Sequence, residues 1–531
     1  MTRSQSKTNL YLSMITSVSR LSGFVRQMAL VFALGLGALN STYSSANETP
    51  NMVYELFIGG ILGIILLPEF IHNIERYDQD EANKKNSAVI SLYLCLLALI
   101  VVLGTIFAPF IFKVYSLLTP AVLKADQQVV GTYLLRIFMP QIVFYGIAAM
   151  ATSMLNANRK FLVPVLAPIL NNLVLVSLYI FLYNRLSNPT LSNVIDTNYL
   201  TILGVGTTLA IIVMSMAYLP ALRSIGFKFS FQNPFKARFE RELLKNTFWS
   251  ILYALANFVS LIFVLVLANT KYSIYLLAWA FFQLPYAIFA ASVITSTAPT
   301  IVSEFISNNT KKVQEIYSKS INSLLLGISF LSLLLGSFAY QFIPLGLDRG
   351  AAENSAISQV PGVLVGFLVG LVPFTIYMFG IKILLLRKKT KTAFIINVFE
   401  NVFNIILAII FLKLFGFVGL SLAFSGAYLL GCFVLWKRLS AEGIEFHLPF
   451  YSLNKIFIWL SSLVIVGFAF ILCQNISYIV FENKYLRGLL SVSLGLVVCS
   501  LLLTFWSKTL SSSKPGSIFS PTSWWHTLMQ D

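Results

Sequence analysis

Apolar runs of about 20 residues, the length that crosses a bilayer as a helix, recur along almost the whole chain, separated by short polar breaks. They predict fourteen spans, at 12–35, 50–71, 88–112, 129–155, 163–182, 199–222, 246–269, 273–303, 320–344, 356–386, 392–412, 417–436, 456–474 and 488–507. Several exceed what a bilayer needs and are expected to tilt or to project beyond it. The fold class that follows is an all-α polytopic membrane protein. The N-terminus has no small-residue cleavage site after a short apolar core, so it reads as an uncleaved first span.

The polar breaks set the organisation. The longest basic one, "RSIGFKFSFQNPFKARFERELLK" at 223–245, divides two sets of six spans. The expected units are an N-lobe at 1–222, a cytoplasmic interlobe linker at 223–245 and a C-lobe at 246–440. An appended helix pair at 441–508 and a flexible tail at 509–531 complete the chain. The second half of the linker is amphipathic and basic, which suits anionic inner-leaflet lipid or a plain tether. With the N-terminus inside, 25 of the 37 Lys and Arg fall in cytoplasmic segments and 8 in outer loops. That bias gives a plasma-membrane orientation with both termini cytoplasmic.

Composition narrows the function. The chain has 531 residues, of which 57% are hydrophobic and only 11% charged, which leaves no room for a separate soluble domain. The net charge of +17 is spread between spans, so it points to topology and an anionic substrate, not to nucleic acid. Four cysteines (Cys95, Cys432, Cys473 and Cys499) lie in apolar runs without a CxxC pair and read as packing residues. There is no phosphate-binding GxxxxGK[ST] loop and no HExxH. The first outer loop, "LGALNSTYSSANET", offers one acid, Glu48, where a polyprenyl-donor glycosyltransferase needs several. Transport or scaffolding remains, with no enzyme activity and no resident cofactor.

The chemistry sits in the charges inside spans. Arg20 and Arg26 lie in "SRLSGFVRQMALVFALGLG" (19–37), and each costs about 2.5–3.5 kcal/mol at a bilayer centre. Six residues apart, they are separated by about 9 Å of rise and about 120° of rotation, so they line adjacent walls of one cavity. Gly23 between them permits close packing or a bend. Arg26 is too deep to reach the interface, whereas Arg20 can snorkel. A guanidinium fork suits phosphate oxygens, with Glu55 of span two as the internal partner of one arginine and Tyr54 beside it. Arg136 is either a third anion ligand or an interfacial anchor, and Lys382 snorkels. A second cluster, "NVFENVFN" (397–404), places Asn397, Glu400, Asn401 and Asn404 on one broad face. It can hold Na⁺ or a proton, or it can glue helices by hydrogen bonds. Asn257, Ser421 and Ser425 are its neighbours only if their spans adjoin span eleven.

"SRLSGFVRQ" (19–27) and "TPNMVYELFIGGILGIILLPEF" (49–70) resemble the opening of the MurJ/MviN lipid II flippases, within the wider group of multidrug, oligosaccharidyl-lipid and polysaccharide exporters. Segments 134–172, 218–227 and 281–305 extend the resemblance through span twelve. It implies two six-helix lobes around a cationic cavity, with the last helix pair shaping a groove for a polyprenyl tail. It also implies a substrate, lipid II (undecaprenyl-pyrophosphoryl disaccharide-pentapeptide), and a role in cell-wall synthesis alongside other cell-wall proteins. Arg20 and Arg26 match the family's two first-helix arginines. Three positions depart: Tyr54 and Glu55 stand where many members have an arginine after "PN", and Ala280 replaces another five residues before Pro285. Gln27 follows the second arginine where an acid is common. Either fewer positive groups then suffice, or Arg136 or Lys271 compensates. The competing readings are a MATE-type cation or drug antiporter, an exporter of another polyprenyl-linked glycan, and a non-transporting cell-wall scaffold.

Overall fold

A computed structural model describes residues 3–441 apart from 58–65, 187, 196, 234–240 and 348–349, with isolated positions between 461 and 505. The first half runs α1 (Arg3–Leu34), α2 (Ala38–Phe57), α3 (Leu67–Arg76), α4 (Gln79–Tyr115) and α5 (Ala121–Phe138). It continues through α6 (Gln141–Ala157), α7 (Leu162–Tyr183), α8 (Leu191–Val194), α9 (Tyr199–Met216) and α10 (Leu219–Ser224). The second half opens with α11 (Arg241–Ala268), α12 (Tyr272–Pro285), α13 (Ala291–Ile306) and α14 (Thr310–Leu347). After α15 (Asn354–Ile357) come α16 (Val360–Val369), α17 (Leu371–Leu386), α18 (Thr390–Phe415) and α19 (Gly419–Ser440). Helix lies over each of the first twelve predicted spans, and α16 and α17 form one span bent by 48°. The thirteenth and fourteenth spans and the tail lie outside the described residues. Helices α1–α10 pack mainly on one another, as do α11–α19.

One break in the pattern is corrected. The polar stretch read as the first outer loop is helical from Ala38, and residues 39–46 are buried. Its hydroxyls fold back on their own helix, Thr42 Oγ1 to the Ala38 carbonyl (2.7 Å) and Thr49 Oγ1 to the Ser45 carbonyl (2.9 Å). Others reach across: Tyr43 Oη bonds Tyr179 Oη (2.8 Å) and Thr207 Oγ1 (3.0 Å), and Thr49 bonds Tyr115 (3.0 Å). Hydroxyls satisfied in this way carry no desolvation penalty, so hydropathy is blind to a helix that is surrounded by protein.

The linker is also tighter than a tether. Its first part lies along α4, with the Gly226 carbonyl accepting from Asn83 Nδ2 (3.1 Å) and the Gln232 N–H donating to Ser91 Oγ (3.1 Å). From Arg241 onward it is already α11.

In the second half, Gly362, Gly366 and Gly370 form one face of α16 and its C-terminal edge, set directly on α19. Ser425 Oγ donates to the Gly366 carbonyl (2.6 Å), a distance that small residues alone permit. Trp279, Phe282, Phe367, Phe374 and Phe424 fill the space beside this contact with mutually tilted rings.

The two halves meet along α1 and α2. Ser41 Oγ donates to the Thr270 carbonyl (2.7 Å) and accepts from the Ser273 N–H (3.1 Å). Thr119 bonds Asn269 (3.0 Å), and the Ala351 N–H donates to the Phe32 carbonyl (2.9 Å). About 12 Å further toward the N-terminus of α1, Phe24 meets Phe281 edge to face, with centroids 4.9 Å apart.

Candidate functional site

Arg26 projects from the middle of α1 into the N-terminal half. The groups within its electrostatic reach are Tyr43 and Glu48 of α2, Tyr145 of α6 and Tyr179 of α7. Three tyrosines and one acid thus feel the field of a permanent, half-buried cation. Among the described residues, no carboxylate lies within 4.0 Å of either first-helix arginine. Unsatisfied buried polar atoms stand on the same helices: Gln27 Nε2 of α1, Asn47 Oδ1 of α2 and Asn171 Oδ1 of α7. A region with spare donors, spare acceptors and an unpaired guanidinium is built to receive something polar.

The acid that addresses Arg26 is Glu48, not Glu55 as the sequence suggested. Glu55 is about two turns further along α2, is exposed, and is felt by Glu48 as a second negative charge. The sequence missed Glu48 because its segment was taken for a loop. The supporting tyrosines Tyr43, Tyr145 and Tyr179 gave no pattern that could mark them. Tyr54 stacks at a tilt on Tyr145 (centroids 4.8 Å), so it belongs to the wall of the same region.

Arg20 is exposed, and its guanidinium donates to the Ala287 carbonyl in the other half of the molecule. Gly23 faces Asn172 of α7, and an added Cβ would find the Asn172 amide nitrogen at an ordinary 3.8 Å. Helix α1 runs unbroken through it, so neither tight packing nor a bend requires glycine there. Arg136 is not brought to the site. It lies on the exposed side of α5 with Tyr133 and Val129, opposite the buried Leu134, Leu135 and Phe138. Lys271 does not compensate for the departures either: its ammonium bonds Gln359 Oε1 (3.0 Å) and sits 5.6 Å from the Phe417 ring centroid. The lysine therefore lines a cavity of about 340 Å³ between Tyr340, Gln359 and Phe417.

The second cluster is assembled as the i,i+4 spacing suggested, with Asn397, Glu400, Asn401 and Asn404 all buried on α18. Asn397 Nδ2 and Asn401 Nδ2 both donate to Asn257 Oδ1 of α11 (2.8 and 2.9 Å). Ser421 and Ser425 do not join them, because they face Gly366 and Gly370 on α16. Glu400 is 1% exposed, packs on Gly431 and Tyr377, and has Oε1 without a hydrogen-bond partner. Tyr253, Tyr275, Tyr377 and Tyr428 are the titratable groups around it. Among the described residues no group of three or more His, Cys, Asp or Glu is arranged to hold a metal.

The family model described as "Lipid II flippase MurJ" matches residues 30–505. The chain belongs to the MurJ lipid II flippase family. Relatives in this family include proteins named "Probable lipid II flippase MurJ". The one from Vibrio cholerae is 23% identical over 479 residues, covering 85% of each chain. The one from Buchnera aphidicola subsp. Baizongia pistaciae is 24% identical over 454 residues, covering 83% of this chain and 84% of its own. The fold is shared with a solved structure titled "Lipid II flippase MurJ, inward closed conformation", at TM-score 0.73 and 20% identity over 94% of this chain and 99% of that one. An inward-facing MATE family transporter of the MOP superfamily shares it less closely, at TM-score 0.63 and 16% identity over 81% of this chain and 98% of that one. Of the positions noted as departing from the resemblance, Tyr54 stacks on Tyr145 and Ala280 is half-buried on α12.

Proposed function

We propose that this chain moves lipid II from the inner to the outer leaflet by alternating access of its two lobes, without an ATPase of its own. The observation that carries this reading is Arg26, an intramembrane cation with no ion-pair partner among the described residues, within electrostatic reach of Tyr43, Tyr145 and Tyr179. Its fork suits a diphosphate, while Tyr43 and Tyr179, bonded to each other, stand behind it as buried supports. The same basic site disfavours the cationic drugs of an antiporter. The polyprenyl tail stays in lipid while the headgroup crosses. With the termini in the cytoplasm and an inside-negative potential, an outward-moving anion gains about 2.3 kcal/mol per charge per 100 mV. The basic residues of 223–245 rest on anionic inner-leaflet lipid. The test is replacement of an essential lipid II flippase by this chain, scored by outer-leaflet accessibility of the precursor. Growth with normal accessibility supports the reading, and accumulation of lipid II in the inner leaflet rejects it.

Resetting the empty carrier needs a coupling ion, and we assign it to Glu400. Its unpartnered Oε1 is buried in a membrane helix among tyrosines, an arrangement kept for proton or Na⁺ relay more readily than for packing. Transport by the wild-type chain is expected to vary with pH or with sodium across the neutral range, and Glu400→Gln is expected to flatten that dependence several-fold. Rates that ignore both ions in the wild type remove the assignment.

A further inference from the structure

Toward the N-terminal end of α1, Arg20 makes a polar contact across the two halves. The register of α12 breaks at Pro285, which has no N–H to give to the preceding turn, and the next turn, Tyr286–Ala290, is π-helical. Such bulges turn carbonyls out of the i→i+4 ladder and gather at functional positions. Here the Ala287 carbonyl takes a guanidinium N–H from Arg20. One α-turn away on the same face of α1, Phe24 rests on Phe281. Arg20 lies about 21 Å from the C-terminal end of α1, on the cytoplasmic side of the span's middle if the N-terminus is inside. Arginine has five N–H donors, and because this side chain is exposed the remaining ones face the entry route.

We propose that Arg20 is a latch between the lobes: its bond to the Ala287 carbonyl holds the cytoplasmic side closed, and the substrate's diphosphate releases it. This inference rests on the flippase reading for the identity of the ligand. The competition has a definite direction. A neutral carbonyl is the weaker acceptor, and a charge-assisted bond to a phosphate oxygen is about twice as strong. A diphosphate arriving from the inner leaflet therefore takes the guanidinium from α12, which removes this polar contact and leaves the neighbouring Phe24–Phe281 ring contact. Arg20 and Arg26 then differ in kind. Arg20 reports that ligand has arrived, and Arg26 holds it.

The test uses the full chain in lipid nanodiscs, with its four native cysteines replaced by serine and spin labels at Lys160→Cys and Lys311→Cys. Both lysines are exposed, one before α7 and one in the first turn of α14, on opposite lobes. Pulsed electron-spin distance measurement without ligand is expected to give a narrow, short distribution. Arg20→Met should broaden and lengthen it by several ångströms, Arg26→Met should leave it short, and Arg20→Lys, which keeps a charged donor, should retain a short component. Adding undecaprenyl diphosphate should lengthen the distribution of the parent and change Arg20→Met no further. An unchanged ligand-free distribution in Arg20→Met overturns the latch. A parent distribution that ignores undecaprenyl diphosphate overturns release by the substrate. The flippase reading stands or falls separately, on the replacement experiment, which does not depend on how the cleft is held.

Discussion

Arg26→Ala is expected to lower outward movement of lipid II by about a hundredfold or more while the protein still inserts. The expected size follows from the site. A guanidinium that meets a diphosphate through its fork makes at least two charge-assisted hydrogen bonds, each contributing about 1.5–3 kcal/mol, and 1.4 kcal/mol is a factor of ten. Neither candidate for compensation takes over: Arg136 is on the exposed face of α5 and Lys271 is tied to Gln359. The substitution also leaves Glu48 facing Glu55 without the positive charge of Arg26 that Glu48 feels. The pair Arg26→Ala with Glu48→Gln separates the two consequences, because it relieves the repulsion without restoring the anion site. The measurement is outer-leaflet accessibility of lipid II, normalised to the amount of protein in the membrane. Recovery of transport in the double variant would mean that Arg26 serves only to neutralise Glu48, and normal transport by Arg26→Ala alone would remove its central role outright.

The second large effect is structural. Gly366→Leu is expected to destabilise the C-terminal half by about 3 kcal/mol or more, the upper end of what overpacking costs. Even a single Cβ at Gly366 would stand 2.1 Å from Ser421 Oγ, and one at Gly370 would stand 2.7 Å from Ser425 Cα. The first clash is with a hydroxyl that can rotate, and the second is with backbone that cannot. Gly366→Ala should therefore lower the apparent melting temperature in detergent less than Gly370→Ala does, and Ser421→Gly should recover part of the Gly366→Ala loss. If Gly370→Ala melts like the parent, the close approach of α16 and α19 is not what holds this half together. The stripe matters for function because α19 also carries Gly431, against which Glu400 is packed. A shift of α19 would thus disturb the coupling-ion position without touching it.

Hydropathy and charge were enough to place helices at twelve spans and to single out Arg20, Arg26 and the 397–404 cluster, because those signals are local. A 20-residue apolar run has few alternatives in a bilayer, an unpaired arginine inside one has a cost that calls for a reason, and i,i+4 spacing fixes a shared face. What the sequence could not supply were partners. Glu48 was hidden in a run of Ser, Thr and Asn that reads as a loop, and only the surrounding helices, which take up those hydroxyls, make it part of the protein interior. Ser421 and Ser425 are as polar as Asn257, yet the rotation of α19 sends them to a glycine face while Asn257 meets α18. Arg136 resembles Arg26 in sequence context and differs in which side of its helix is covered. The split between Arg20, bonded across the two halves, and Arg26, enclosed within one, was likewise decided by tertiary structure. Periodicity says which residues share a side of a helix, but the helix's rotation and neighbours decide whether that side meets lipid, protein or ligand.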